Sequence, residues 1–117
     1  MINPEDAQFW TVIDRLVAAC EVVIDRPASS PHPRYPDMIY PLDYGYLEDT
    51  LAADGGGIDV WIGSSGLHQV TGVIVTVDLM KRDCENKILL GCTEAEANTI
   101  IQFMSDDMFG CYVIWRP

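Results

Sequence analysis

Lysine and arginine are missing from a long central segment of the sequence, from Tyr35 to Met80. The same segment carries seven carboxylates, and the whole chain has 7 basic against 18 acidic residues, a net charge of −11. Nucleic-acid binding relies on clustered Lys and Arg that neutralise phosphates, and surface-bound membrane helices also carry basic faces. The composition therefore argues against nucleic acid and membrane surfaces as partners.

Targeting signals and paired cysteines are also missing. The four cysteines form no C-x-x-C pair, which favours free buried thiols over the alternative, a zinc site built from scattered ligands. No basic segment opens the sequence, and no apolar run approaches the roughly 20 residues of a membrane helix. These absences predict a soluble, cytoplasmic protein. Because 117 residues, 49% of them apolar, can bury one core, we expect a single domain over residues 1–117.

Helix and strand signals alternate along the chain. Asn3 can cap a helix over residues 1–20, and a capping box at Thr93 to Glu96 opens a second helix that ends near Met104. Four prolines break residues 26–36, and glycines and serines mark a turn at 63–66. Strands are predicted at Ile58–Ile62, Val70–Leu79, Lys87–Cys92 and Cys111–Trp115. The predicted class is therefore α+β, most simply a small barrel with helices outside. The domain would consist of an N-terminal helix (1–20), a barrel core (21–92), and a C-terminal helix and strand (93–117).

Two carboxylates, Asp54 and Asp59, flank a run of three glycines. Glycine lets the backbone turn sharply and approach an ion closely, so this segment is typical of a metal-binding loop. A plain loop that leads into a strand, with Asp59 as its first outward residue, explains the same residues equally well.

A second cluster, Asp83, Glu85 and Lys87, alternates along the chain. Side chains two residues apart share one side of an extended chain, so the three would form a row of acid, acid and base. A surface ion pair, worth about 0–1 kcal/mol, is the simpler alternative. If the two clusters converge, carboxylates ~5 Å apart repel by roughly 3 kcal/mol per pair and need a cation or protons. Oxygen ligands without histidine favour Mg²⁺, with Mn²⁺ as a second choice, over zinc.

Tyrosines and cations near the acidic segment suit an anionic ligand. Tyr40 and Tyr44 offer hydroxyl groups, although packing on a hairpin around Gly45 also explains tyrosines here. Arg34 and Lys87 flank the acidic region and are the best candidates to bind a phosphate. The histidines are predicted to be surface residues without a role: His32 and His68.

Five segments together resemble the soluble family I inorganic pyrophosphatases. In order they are VVIDRP (22–27), HPRYP (32–36), YPLDYGYLEDT (40–50), DGGGIDVWIG (54–63) and KRDCENKILLG (81–91). The resemblance implies an OB-like barrel of five strands with flanking helices, and several Mg²⁺ ions that activate water against pyrophosphate. It also implies a phosphate-containing small molecule as ligand and assembly into dimers or hexamers.

The resemblance implies roles for individual residues as well. Asp54 and Asp59 match the outer aspartates of the family signature D-x-D-P-x-D. The implied metal ligands are Asp25, Asp54, Asp59, Asp83 and Glu85. The implied substrate-binding residues are Arg34, Tyr40, Tyr44 and Lys87, and the implied catalytic residues are Tyr44, Asp59 and Lys87.

The chain also departs from the family pattern. Gly56 stands where the signature has its middle aspartate, which in the family bridges metals and helps deprotonate the attacking water. A family arginine is missing between Pro36 and Tyr40, and the C-terminal Tyr-Lys phosphate clamp has no counterpart in Asn98–Pro117. Three hypotheses follow. We favour Mg²⁺-dependent hydrolysis of diphosphate to two phosphates. The alternatives are a degenerate family member that binds divalent metal or a phosphorylated ligand without turnover, and a structural oligomeric module with the first helix as its interface.

Overall fold

The computed structural model describes residues 4–65 and 69–117, so the predictions for Gly66 and His68 lie outside the described residues. The described elements, in chain order, are α1 (Pro4–Ala18), β1 (Val22–Arg26), β2 (Asp43–Leu47), β3 (Ile58–Ile62), β4 (Val70–Asp78), β5 (Asp83–Leu90), α2 (Glu94–Met104) and β6 (Phe109–Trp115). Strand β3 and helix α2 have their predicted bounds, whereas the sequence does not predict β1. Neither of the described helices is long and apolar enough to cross a membrane.

All six strands of the described chain form one mixed sheet, in the order β1-β2-β3-β5-β4-β6. Neighbouring strands are antiparallel except β3 and β5, which are parallel. The predicted α+β class with flanking helices is confirmed. The five-stranded barrel needs a correction: β6 extends the sheet beyond β4 as a sixth strand, and no pairing joins β1 to β6 among the described residues, so the sheet is not closed.

Each face of the sheet carries its own apolar core. On one face, Trp10 and Val17 of α1 pack over an apolar cluster of the sheet. Its buried members are Leu47, Val60, Val70, Val73, Ile88 and Leu90. On the opposite face, Ala97 and Ile100 of α2 pack in a second cluster with Tyr40, Trp61, Ile74, Leu89 and Cys92. Successive strand residues point to opposite faces, which is why Val60 and Trp61 belong to different cores. The face under α2 also carries the polar residues that the sequence singles out.

Helix α2 begins at the predicted capping box. Thr93 Oγ1 accepts a hydrogen bond from the Glu96 N–H at 3.1 Å, and the Glu96 carboxylate accepts one from the Thr93 N–H at 2.9 Å. The same carboxylate accepts from the Ser64 N–H at 3.1 Å, which ties the helix to the end of β3. Burial opposes the charge of Glu96, but these hydrogen bonds outweigh it and lower the pKa. The negative charge is therefore kept at the helix N-terminus, where the helix dipole also favours it.

Gly45 lies in the middle of β2, so the predicted hairpin around it is wrong. It pairs with Ile24 on one side and with Val60 on the other. A Cβ atom at this position would lie 1.7 Å from the Val23 carbonyl oxygen, a distance no side chain can adopt. The glycine is required because β1 approaches β2 closely, and no turn is involved.

The cysteines are free, as predicted, but most of them are not buried. Cys84 is exposed, Cys20 and Cys111 are half-buried, and only Cys92 is buried. Burial raises the pKa of Cys92 to about 12, so its thiol is protonated and packs as a small apolar side chain.

Candidate functional site

Lys87, Asp59 and Tyr44 come together on the face of the sheet that α2 covers. β3 and β5 run parallel, in a register that pairs the residue after Asp59 with the residue after Lys87, so the two are neighbours across the ladder. Tyr44 of β2 pairs with Trp61, two residues beyond Asp59, and therefore shares its face. Strand register alone thus assembles the three side chains.

Lys87 is a buried cation with three oxygen neighbours. Its Nζ lies 2.7 Å from Asp59 Oδ2, 2.8 Å from Tyr44 Oη and 3.8 Å from Glu85 Oε2. Only 7% of the residue is exposed. Burying an ammonium group costs free energy unless it is paired and hydrogen-bonded, and here Asp59 and Tyr44 supply both. The cation is therefore held in one position before any ligand arrives.

The Tyr44 hydroxyl keeps its proton. Burial raises the pKa of Tyr44 well above its ordinary value, and the charge of Asp59 and the hydrogen bond to it act in the same direction. The phenol oxygen accepts from Lys87, and the O–H bonds to Asp59. Its ring packs edge-on against Trp61 with the centroids 4.6 Å apart, which fixes the hydroxyl beside the ammonium group.

The two acidic clusters meet at Asp54 and Glu85, whose carboxyl groups share a hydrogen bond. The Gly56 N–H donates to Asp54 Oδ1 at 3.0 Å, and this bond lowers the pKa of Asp54. Burial raises the pKa of Glu85, and the nearby charge of Asp54 raises it further against the opposing effect of Lys87. Carboxyl groups in contact oppose each other's ionisation, so of the two Glu85 binds a proton more readily, because its pKa is raised while that of Asp54 is lowered.

Arg26 and Tyr40 form a basic and aromatic region next to Tyr44. The Arg26 Nη1 donates a hydrogen bond to Tyr40 Oη. The guanidinium carbon lies 5.5 Å from the centre of the Tyr40 ring and 5.8 Å from that of Tyr44. His32 stacks on Tyr40 with the ring planes 8° apart, and it is half-buried rather than a surface residue. The sequence does not point to Arg26, because these contacts depend on how β1 pairs with β2.

No family model matches the sequence, and no curated protein matches it. Three solved structures share its architecture. An inorganic pyrophosphatase from Neisseria gonorrhoeae matches with a TM-score of 0.62 and 18% identity, over 76% of this chain and 77% of that chain. An inorganic pyrophosphatase from Coxiella burnetii matches with a TM-score of 0.58 and 17% identity, over 80% of this chain and 82% of that chain. An inorganic phosphatase from Anaplasma phagocytophilum matches with a TM-score of 0.56 and 18% identity, over 80% of this chain and 81% of that chain. The chain has the inorganic pyrophosphatase fold.

On this pyrophosphatase fold, the residues expected to bind substrate are not equally placed. Tyr40 and Tyr44 are adjacent, with ring centroids 5.6 Å apart, and Tyr44 contacts Lys87. Arg34 lies instead in the exposed loop after β1, where its backbone N–H donates to His32 Nδ1 at 3.0 Å. Within residues 4–65 and 69–117, no ion pair joins the Arg34 side chain to another residue. Its role as a phosphate ligand stays a prediction.

The expected metal ligands are likewise only partly assembled. Asp54 and Glu85 are in contact, Asp83 lies on the same side of β5 as Glu85, Asp59 is paired with Lys87, and Asp25 is exposed on β1. In the parts of the chain that the structure describes, no group of three or more His, Cys, Asp or Glu side chains could hold a metal ion.

The Asp54–Glu85 pair nevertheless fits Mg²⁺. This ion binds proteins through one or two carboxylates and keeps several waters, or takes phosphate oxygens, for its remaining positions. Lys87 is the cation nearest to Glu85, at 3.8 Å, and Asp54 forms no ion pair among the described residues, so the pair carries more negative charge than its ion pairs balance. A divalent ion bound to both carboxylates would offset their mutual repulsion.

Proposed function

We propose that this protein hydrolyses inorganic diphosphate to two phosphates, with Mg²⁺ as cofactor. The observation that carries the proposal is the buried Lys87, held by Asp59 and Tyr44 next to the Asp54–Glu85 pair, on a pyrophosphatase fold. A fixed cation beside a carboxylate pair suits a polyanionic substrate that arrives with a divalent cation.

In this proposal Lys87, Tyr44 and Asp59 act on the phosphate oxygens. Lys87 neutralises the charge that develops on them, and the Tyr44 O–H turns from Asp59 to donate a hydrogen bond to one of them. Asp59 orients both donors, since it bonds to each of them before substrate binds. A water oxygen forms a bond to one phosphorus, the bridging P–O bond breaks, and the protons of the water end on the two phosphates.

Asp54 and Glu85 would hold the Mg²⁺ ion, and Mn²⁺ has the same preference for oxygen ligands. The further ligands implied by the family resemblance are Asp25, Asp59 and Asp83. When bound, the ion neutralises phosphate charge and lowers the pKa of a water molecule. The hydrogen bond from the Gly56 N–H keeps the Asp54 carboxylate ionised and ready for a cation.

Phosphate release from pyrophosphate, measured with Mg²⁺ and with a chelator in its place, tests the proposal. We expect release only with Mg²⁺, and we expect Asp59→Asn to lower the rate at least about 100-fold because both donors lose their orienting charge. Asp107→Asn makes the same chemical change at an exposed residue between α2 and β6 and should keep full activity. Equal release by the unmodified protein and by Asp59→Asn would overturn the proposal.

A second candidate function is the binding of divalent metal or a phosphorylated ligand without turnover. It is favoured by Gly56, which offers no carboxylate beside Asp54, and because no group of three or more possible metal ligands is assembled among the described residues. In that case Mg²⁺ raises the melting temperature, because it binds only the folded chain, while no phosphate is released.

We also propose that residues 1–117 fold as one domain and assemble as a homo-oligomer in the cytoplasm. Exposed apolar side chains on α1, Phe9 (49% exposed) and Val12 (52% exposed), support an interface there. Sedimentation equilibrium should give a mass that is a multiple of 13.0 kDa. A Phe9→Lys, Val12→Lys double variant should shift that mass to the monomer. A purely structural module with this interface would show no stabilisation by Mg²⁺.

A further inference from the structure

Strand β1 carries one extra residue opposite β2. Ile24 pairs with Gly45, and the next pair is Arg26 with Tyr44, so Asp25 has no partner of its own. Such a β-bulge redirects the side chains that follow it. In an unbroken register Asp25 would lie opposite Tyr44, and the bulge gives that position to Arg26. This is why a residue expected to bind metal is exposed while its neighbour faces the site.

Arg26 forms no ion pair with the described acidic residues, although the chain has a net charge of −11, and the neighbouring Asp25 attracts it only from a longer distance. Among the described residues, no carboxylate lies within ion-pair distance of its guanidinium group. Its one side-chain hydrogen bond there goes to the hydroxyl of Tyr40. Arg116 shows the contrast, since it holds Asp14 with two bonds of 2.7 Å. A half-buried arginine without a carboxylate keeps its charge and most of its donors for another anion.

Arg26 and Lys87 flank the same tyrosine. The Arg26 guanidinium carbon lies 5.8 Å from the centre of the Tyr44 ring, and the Lys87 Nζ lies 5.3 Å from it. Lys87 is already paired with Asp59 and has Glu85 within ion-pair distance. Of these two cations, Arg26 is therefore the one that no ion pair neutralises among the described residues.

We propose that Arg26 binds a phosphoryl group of the substrate, as the second cation of the site beside Lys87. The identity of the substrate as diphosphate rests on the function proposed above. The planar guanidinium matches two phosphate oxygens at once, which a lysine cannot do. Tyr40 positions the guanidinium by accepting its Nη1 hydrogen bond and by stacking against His32. Arg26 thus takes the part that the sequence alone assigns to Arg34.

Isothermal titration of the Mg²⁺-loaded protein with inorganic pyrophosphate tests the assignment, together with KM and kcat for phosphate release. We expect Arg26→Gln to weaken pyrophosphate binding by about 10- to 100-fold, the value of a charged hydrogen bond, and to raise KM accordingly. Arg26→Lys should recover only part of that loss, because lysine keeps the positive charge but cannot donate two parallel hydrogen bonds to one phosphoryl group. Arg15→Gln removes the same charge from an exposed position on α1 and should bind as the unmodified chain does. Melting temperatures establish that each variant is folded.

The outcomes separate this assignment from the proposed function. If the unmodified protein binds pyrophosphate without releasing phosphate, and Arg26→Gln loses that binding, the assignment stands and the hydrolytic function fails. If the protein releases phosphate and folded Arg26→Gln binds pyrophosphate with unchanged affinity, the assignment fails and the function stands. If Arg26→Gln is unfolded, a folded Arg26→Lys with unchanged affinity and KM overturns the assignment, and a weaker affinity supports it. Absence of pyrophosphate binding to the unmodified chain overturns the assignment.

Discussion

The two sides of the candidate site neutralise their charges differently. On the acidic side, Lys87 is paired with Asp59 and lies within ion-pair distance of Glu85. On the basic side, Arg26 contacts aromatic rings and a hydroxyl but no carboxylate among the described residues. The acidic side therefore has a cation of its own within the protein, whereas the cation of the basic side is available for a ligand. The difference teaches that an acidic chain need not attract only cations.

Replacement of Lys87 by methionine should have the largest effect and would test whether the acidic side depends on its internal cation. Without the ammonium group Asp59 and Glu85 lose their counter-charge, so we expect the free energy of unfolding to fall by about 1–3 kcal/mol. Phosphate release should fall by about 10²–10³-fold, because the substrate loses a fixed cation. Urea denaturation and the phosphate assay measure the two effects.

Arg26→Gln is the matched variant on the basic side. It should cost at most about 1 kcal/mol of stability, since the lost partner is a single tyrosine hydroxyl. The comparison fails if the two variants destabilise the protein equally, because Arg26 would then be a structural charge like Lys87.

Gly56→Asp should have the next largest effect and would test whether the acidic side lacks a third carboxylate. A Cβ atom at Gly56 would lie 3.4 Å from Asp54 Oδ1, an ordinary contact, and Gly56 does not have a positive φ, so the aspartate can be accommodated. The new carboxylate would fill the middle position of the family signature. We expect phosphate release in Mg²⁺ to rise by about 100-fold, the lower end of the usual contribution of a general base. Gly56→Asn adds the same volume without the charge, and an equal gain from it would show that the carboxylate is irrelevant.

The sequence predicts the acidic side better than the basic side, for a physical reason. Alternation of Asp83, Glu85 and Lys87 on one strand is a local property, and the capping box at Thr93 is also local, so both follow from spacing. The position of Arg26 depends on a bulge, which arises only when β1 pairs with β2. The prediction at Gly45 is wrong for a similar reason. A glycine required by close contact between two strands cannot be distinguished, in the sequence, from a glycine in a turn.

The resemblance to a family adds the fold, which spacing alone does not give, and the solved structures confirm it. A strand at Cys111–Trp115 is predicted, but its place beside β4 and the open sheet are not, because β6 joins β4 from the far end of the chain. The partner of Asp59 is also unpredicted, since Lys87 reaches it through the parallel pairing of β3 with β5. In each case the missing information is tertiary.

The pKa of His32 offers the smallest and most local test of the basic side. Burial lowers this pKa below its ordinary value of 6.5, and the charges of Arg26 and Arg34 lower it further. The unfolded chain therefore binds the proton first as pH falls, so the stability contributed by neutral His32 is complete above pH 6.5 and is lost as pH falls through the folded pKa.

NMR titration of the imidazole signals checks this point. We expect Arg26→Gln to raise the pKa of His32 towards its ordinary value, while Arg15→Gln leaves it unchanged. An unchanged pKa in Arg26→Gln would mean that the guanidinium does not set the charge of this region.

A crystal structure with Mg²⁺ and imidodiphosphate, a diphosphate analogue that resists hydrolysis, tests most directly whether both sides serve one substrate. The account predicts that one phosphoryl group contacts Lys87, the other contacts Arg26, and the metal ion lies on Asp54 and Glu85. An analogue bound away from both cations, or a metal ion held by a different set of side chains, would contradict it.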